Sequence, residues 1–262
     1  MTDLLLFNGC LIPSRLPFLE RATRDVLAKL EVNYSDLPDQ TCCVEPIGLR
    51  SLGTDTWTLA SARLLAIAEE RGGDILTVCD GCYMSLNQTI LRLEDQRRRE
   101  AVNRELARIG REYHGRVRVL SLVELLHSMK EAITGSVSEP QERRFAIHPG
   151  CHLERTAEEL GKEDPVKQMA DIVEWVGGTP VELRGKCCGG GLSGVYDDLS
   201  KAVMEDSLAA FKGSDAILTP CPTCFVQFDL RQKDGIPVWF LTEMLIAAFG
   251  MDYKGWRYHR SR

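Results

Sequence analysis

The sequence predicts an α/β fold of two similar, pseudo-symmetric lobes. Each is a small parallel sheet flanked by helices, with its reactive groups at the carboxyl ends of the strands. Three observations predict this. Short apolar runs alternate with amphipathic stretches, ten cysteines fall into two sets of five in one order, and Cys10, Cys79, Cys151 and Cys221 each follow an apolar run. Strands alternating with helices imply parallel sheets covered on both faces. In open sheets of that kind, ligands gather beyond the carboxyl ends of the strands.

The strand candidates in the first half are Leu4–Phe7, Val32–Ser35, Ile75–Val78 and Val117–Leu120. In the second half they are Arg144–Ile147, Pro180–Leu183, Ala216–Thr219 and Val238–Phe240. Helical periodicity covers Thr56–Glu70, Leu86–Arg111, Val166–Val176 and Leu199–Phe211, among others. The polar stretch GSVSEPQER, Gly135–Arg143, reads as a linker. It places a first cysteine-rich domain at 1–134, a linker at 135–143, a second domain at 144–250 and a terminal tail at 251–262. The basic tail segment KGWRYHRSR is open to two readings, disorder or a partner contact.

The 262-residue chain is 44% hydrophobic and 27% charged, as expected of a soluble globular protein. Its net charge of -6 argues against a nucleic-acid partner. Arg97, Arg98 and Arg99 sit among Glu94, Asp95 and Glu100 and read as a solvated helix face. Apolar runs such as Leu241–Phe249 fall well short of the ~20 residues a membrane span needs, so no direct membrane insertion is expected. The opening MTDLLLFNGC lacks a basic region and is interrupted by Asn8 and Gly9, which suits a strand better than a signal peptide. The expectation is therefore a cytoplasmic protein with reduced thiols, whose ten cysteines serve metal or redox chemistry.

The cysteines are written twice. Cys10, Cys42, Cys43, Cys79 and Cys82 give C-x31-CC-x35-C-x2-C, and Cys151, Cys187, Cys188, Cys221 and Cys224 give C-x35-CC-x32-C-x2-C. The flanks agree as well: DILTVCDGCY stands over AILTPCPTCF, and FNGC over HPGC. This is an internal duplication.

Structural zinc takes four ligands, commonly on two C-x2-4-C knuckles, whereas each half here has one knuckle, a lone cysteine and an adjacent pair. The compact ferredoxin run is absent. A cubane takes one thiolate per iron, so a fifth cysteine implies a larger, open or irregular cluster, or a catalytic thiol. A dithiol–disulfide pair at each C-x2-C would account for two cysteines per half and leave three unused.

HPGCHLER (148–155), KCCGGG (186–191) and TPCPTCFVQFD (219–229), with NGC, TCCVEP and VCDGCYMSLN in the first half, resemble the cysteine-rich CCG domain. Two such domains in tandem resemble the HdrB-type subunit of heterodisulfide reductases, as does the ending GIPVWFLTEMLIAAFGMD. The resemblance implies two noncubane [4Fe-4S] clusters at the carboxyl ends of the strands. One would be held by Cys10, Cys42, Cys43, Cys79 and Cys82, the other by Cys151, Cys187, Cys188, Cys221 and Cys224. It implies an oxidoreductase of sulfur groups that splits or forms a small disulfide, such as that of coenzyme M and coenzyme B, between the clusters. Electrons would come from two further subunits, one ferredoxin-like with [4Fe-4S] clusters (HdrC-type) and one containing flavin (HdrA-type). The alternative is an electron-transfer subunit of a flavin-linked dehydrogenase or quinone-reducing complex with no disulfide of its own.

The first pair departs from the pattern, reading CCVEP where the second reads CCGGG. Gly189, Gly190 and Gly191 would let backbone amides approach a cluster, and Val44 restricts that freedom. Glu45 either shapes the first pocket or forms a turn with Pro46. His148 and His152 bracket Cys151 as candidate proton donors; capping the strand–helix junction, or a hydrogen bond to a sulfide, is the plainer reading. Arg155 and Lys186 are candidates to bind an anionic substrate group but read more plainly as surface charges, and Trp57, Trp175, Trp239 and Trp256 as packing or interface residues.

Overall fold

A computed structural model describes residues 3–44, 46–182, 185–232 and 235–261. Its first half runs β1 (Asp3–Phe7), α1 (Leu11–Arg15), α2 (Pro17–Lys29), β2 (Tyr34–Asp36), α3 (Gly48–Leu52), α4 (Thr54–Arg71), β3 (Gly73–Thr77), α5 (Asp80–Leu93), α6 (Gln96–Leu106) and β4 (Val119–Ser121). There follow α7 (Leu122–His127), α8 (Lys130–Ser136), β5 (Arg144–Ile147), α9 (Cys151–Glu159), α10 (Pro165–Trp175) and β6 (Thr179–Glu182). The chain closes with α11 (Asp197–Ala210), β7 (Ala216–Thr219), α12 (Pro222–Arg231), β8 (Val238–Phe240) and α13 (Leu241–Ala248).

The strands form two four-stranded sheets of the same order, β2-β1-β3-β4 and β6-β5-β7-β8. Every pairing is parallel. All five residues of β3 (GDILT) and all four of β7 (AILT) are buried, as expected of central parallel strands covered on both faces. The registers repeat as well: Leu6 lies beside Leu76, and Ile147 beside Leu218.

The chain divides into two compact units. One comprises the segment up to Cys10 with Asn33–Ser121; the other comprises Leu11–Val32 with Leu122–Arg262. In the first, α4 packs on β3, and α5 on β3 and β4. In the second, α10 covers β5 and β6, α12 covers β7 and β8, and α7 lies on α10. The α1–α2 hairpin belongs to this second unit, where α2 packs along α13. Its buried stripe is Leu19, Ala22, Thr23, Val26 and Leu27.

Three expectations need correction. The helix predicted over Leu86–Arg111 is two helices, because the Asp95 side chain accepts a bond from the Arg98 N–H at 3.0 Å and starts α6 afresh. The strand predicted at Val32–Ser35 begins at Tyr34. Of the two readings of the basic tail, disorder does not hold for the residues as far as Ser261. Ser261 Oγ donates to Asp229 at 2.7 Å, His259 bonds Glu243 at 2.8 Å, and Trp256 lies 4.6 Å from Trp239. Tyr253 Oη reaches Glu243 at 2.8 Å and the Phe18 carbonyl at 3.0 Å, so the tail also straps α2 in place. Of the residues singled out from sequence, Glu45 and the strand end Leu183 lie outside the described residues.

Candidate metal centres

Each set of five cysteines comes together within one unit. In the first, Cys10 follows β1, Cys79 is the N-cap of α5, and Cys82 lies in that helix's first turn. Cys42 and Cys43 come from the coil after β2. The thiols touch in the order Cys10–Cys42–Cys43–Cys82–Cys79, with Cys43 Sγ 3.2 Å from Cys82 Sγ. In the second unit the order is Cys151–Cys187–Cys188–Cys224–Cys221, with Cys224 Sγ 3.3 Å from Cys188 Sγ. Position by position the two chains of contact are the same.

The duplicated segments explain how the sulfurs are held. Cys221 is the N-cap of α12 as Cys79 is of α5, so both C-x2-C pairs sit at the positive ends of helix dipoles. The threonine shared by DILTVC and AILTPC has a definite task. Thr77 Oγ1 accepts the Cys79 N–H at 3.4 Å, and Thr219 Oγ1 accepts the Cys221 N–H at 3.3 Å. Gly9, at φ 67°, leaves room for sulfur: a Cβ there would lie 2.9 Å from Cys82 Sγ.

The adjacent pairs are anchored by serines that carry no sequence signal. Ser61 Oγ donates to the Cys43 carbonyl at 2.9 Å and Ser85 Oγ to the Val44 carbonyl at 3.0 Å. Ser207 Oγ donates to the Cys187 carbonyl at 2.7 Å and Ser200 Oγ to the Gly189 carbonyl at 2.9 Å. Gly189 has φ 76°, and a Cβ on it would fall 2.2 Å from the Ser200 carbonyl oxygen. The Gly189 and Gly190 amides point at Cys187 and Cys188 sulfurs, at 3.4 and 3.3 Å. Val44 occupies the matching left-handed conformation at φ 63° despite its branched side chain.

Crowding governs the electrostatics. The neighbouring thiols, with burial, hold Cys43, Cys82, Cys151 and Cys224 well above the ordinary thiol range. Burial, then Cys42, pushes Cys10 up to about 11; the Cys187 contact pushes Cys188 up to about 12. Cys187, accepting from Cys151, Cys188 and the Gly189 amide, is drawn down, to about 2. Thiolates crowded this closely repel one another, and a bound cation would offset that charge. The all-thiol donor set fits an iron–sulfur group.

Among the other candidates, His148 is buried, with Nε2 3.3 Å from Cys224 Sγ. Burial lowers its pKa to about 4, so the ring is neutral. His152 is half-buried in the first turn of α9, and Arg155 is exposed. Lys186 pairs with Asp206 at 2.8 Å, and Arg97 and Arg98 are solvent-exposed on α6. Trp57 is fully buried beneath Arg50, and Trp175 stacks on His127 at 5.2 Å. Sequence reasoning missed the apolar side chains that stand exposed after each adjacent pair, because no periodicity marks them. They are Ile47, Leu49 and Leu52 in one unit, and Val195, Tyr196 and Leu199 in the other.

Comparison with known proteins places these features. The CCG cysteine-rich domain matches residues 4–87 and again 145–229. The chain is 35% identical, over 95% of its length and 90% of the relative's, to the B subunit of the Ferredoxin/F(420)H(2)-dependent CoB-CoM heterodisulfide reductase of Methanosarcina acetivorans. It is 33% identical, at the same coverage, to the B subunit of the Ferredoxin:CoB-CoM heterodisulfide reductase of Methanosarcina mazei. The 8-methylmenaquinol:fumarate reductase membrane anchor subunit of Wolinella succinogenes is 27% identical over 95% of the chain and 92% of that protein. A hypothetical protein from Helicobacter pylori shares the fold, with a TM-score of 0.73 at 15% identity. All of this chain aligns, covering 52% of that one.

Proposed function

The chain belongs to the cysteine-rich CCG domain family, and from that premise we propose that it is the iron–sulfur subunit of a heterodisulfide reductase-type complex. The observation that carries this reading is the doubled chain of five touching thiols. Each set holds one noncubane [4Fe-4S] cluster, and the substrate is a small disulfide or the thiols formed from it. When bound, a cluster of this kind passes one electron at a time, so two suit the two-electron cleavage of an S–S bond.

The protein's own residues prepare the sites. The N-termini of α5 and α12 present the C-x2-C cysteines with the positive end of the helix dipole toward each centre. Cys43, Cys82, Cys188, Cys221 and Cys224 are buried away from water, whereas Cys10 and Cys42 are exposed. Access therefore lies on the lone-cysteine side of the first centre. The exposed apolar groups after each pair suit partner subunits, in this reading one that is ferredoxin-like and one that bears flavin.

A second reading, electron transfer to a quinone-linked partner without a disulfide, draws on the Wolinella succinogenes relative. Among the described residues no helix is long and apolar enough to cross a membrane. Anaerobic purification should yield iron and acid-labile sulfide matching two [4Fe-4S] clusters per chain. The reduced protein should then be reoxidised by a small disulfide and not by a menaquinone analogue; the reverse preference would establish the second reading.

A further inference from the structure

One buried side chain distinguishes the two centres, and the inference drawn from it rests on the iron–sulfur reading. His148 is 2% exposed, and its Nε2 lies 3.3 Å from Cys224 Sγ. Its ring is wedged edge-on against Phe228 at 5.0 Å and Phe211 at 5.9 Å. Its backbone N–H extends the β5–β7 ladder to the Leu218 carbonyl at 2.9 Å. The ring is thus fixed by packing and by the strand. The first unit has Phe7 at this position, because Leu6 pairs with Leu76 as Ile147 pairs with Leu218. Phe7 is fully buried and has no polar atom on its side chain.

We propose that His148 donates an N–H···S hydrogen bond to the Cys224 sulfur, holding the C-terminal cluster at a higher reduction potential than the N-terminal one, where Phe7 offers no donor. A metal-bound thiolate only accepts, and reduction adds negative charge to it. A donor aimed at the sulfur therefore favours the reduced state, and hydrogen bonds to sulfur are among the determinants of cluster potential. The Gly189 and Gly190 amides, directed at Cys187 and Cys188, act in the same sense at the same centre. His148 is a tuning residue acting through a ligand; it is too deeply buried to meet a substrate directly.

The test is a dithionite titration of the loaded protein, followed by electron paramagnetic resonance, in wild type, His148→Phe, His148→Gln and Phe7→His. Wild type should show two resolved steps. In H148F the higher step alone should fall, with a roughly tenfold loss of reduced over oxidised cluster at fixed potential, or about 59 mV for a one-electron couple. F7H should raise the other step, and H148Q, which keeps an N–H donor, should retain most of the wild-type value. Histidine labelled with 15N should give a weak coupling on one cluster that disappears in H148F. If H148F fails to load its second centre, H148Q and F7H still decide the matter. Unchanged steps in fully loaded variants would overturn this inference alone, as would a coupling strong enough for a direct iron–nitrogen bond. Wild-type protein that carries no iron would overturn the iron–sulfur reading, and this inference with it.

Discussion

The N-terminal and C-terminal centres have the same order of thiol contacts, built on the same helix starts and the same threonines, but they differ in what lies around the sulfurs. After Cys188 the chain turns through Gly189 at φ 76°, and after Cys43 it makes the same turn through Val44 at φ 63°. A branched residue in that region costs about 1–3 kcal/mol. Cys10 and Cys42 are exposed, whereas their counterparts Cys151 and Cys187 are half-buried. The duplication has therefore kept the ligand geometry while one copy is strained and open and the other relaxed and enclosed.

The largest expected effect tests whether the centres are independent. Cys82→Ala and Cys224→Ala each remove a buried thiol touching two others. Each should halve the iron and sulfide bound and leave the other centre spectroscopically intact; loss of both clusters from either variant would show that loading is coupled.

Gly189→Ala comes next. Its Cβ would lie 2.2 Å from the Ser200 carbonyl oxygen, so α11 or the loop must move. Clash and strain together should destabilise the protein by about 2–4 kcal/mol in denaturant unfolding of the metal-free chain. Val44→Gly should do the opposite: relief of strain, less the entropy glycine adds to the unfolded chain, should leave a gain of about 1 kcal/mol. Equal losses in both variants would contradict the strain assigned to the first loop.

The smallest effect concerns the tail, which the second copy has where the first runs from α7 into α8. Burial opposes the charged form of His259, but its bond to Glu243 and the nearby Glu243 and Asp229 charges outweigh this, and the net shift is upward from 6.5. A group whose pKa is raised on folding stabilises the fold below its unfolded value and loses that contribution as pH rises through the folded one. The melting temperature of the wild type should therefore decline above about pH 6.5, and His259→Gln should be less stable at low pH with a flatter profile.

Much of this architecture was legible from sequence, because parallel strands and ligand spacings leave strong local marks. Arg144–Ile147, Ala216–Thr219 and Val238–Phe240 are strands residue for residue as the apolar runs indicate. The conjunction of Ile-Leu-Thr with C-x2-C marked both helix starts. Four features were hidden for physical reasons. The break before α6 depends on one Asp side chain in a stretch that is helical in composition throughout. Ser61, Ser85, Ser200 and Ser207 act on backbone carbonyls that belong to no motif. The turn at Val44 contradicts the residue's own preference. The docking of α2 on α13 joins segments too far apart for any periodicity to connect.

That last feature bears on how the chain is made. Helix α2 ends at Lys29 and its partner α13 begins at Leu241, so roughly 200 residues must be synthesised before the first helical hairpin meets its packing surface. At about 5–20 residues per second, this leaves Leu19, Ala22, Val26 and Leu27 without their native cover for some tens of seconds. Packing of the second unit thus waits on α13, and Tyr253, later still in the chain, fastens α2 through the Phe18 carbonyl.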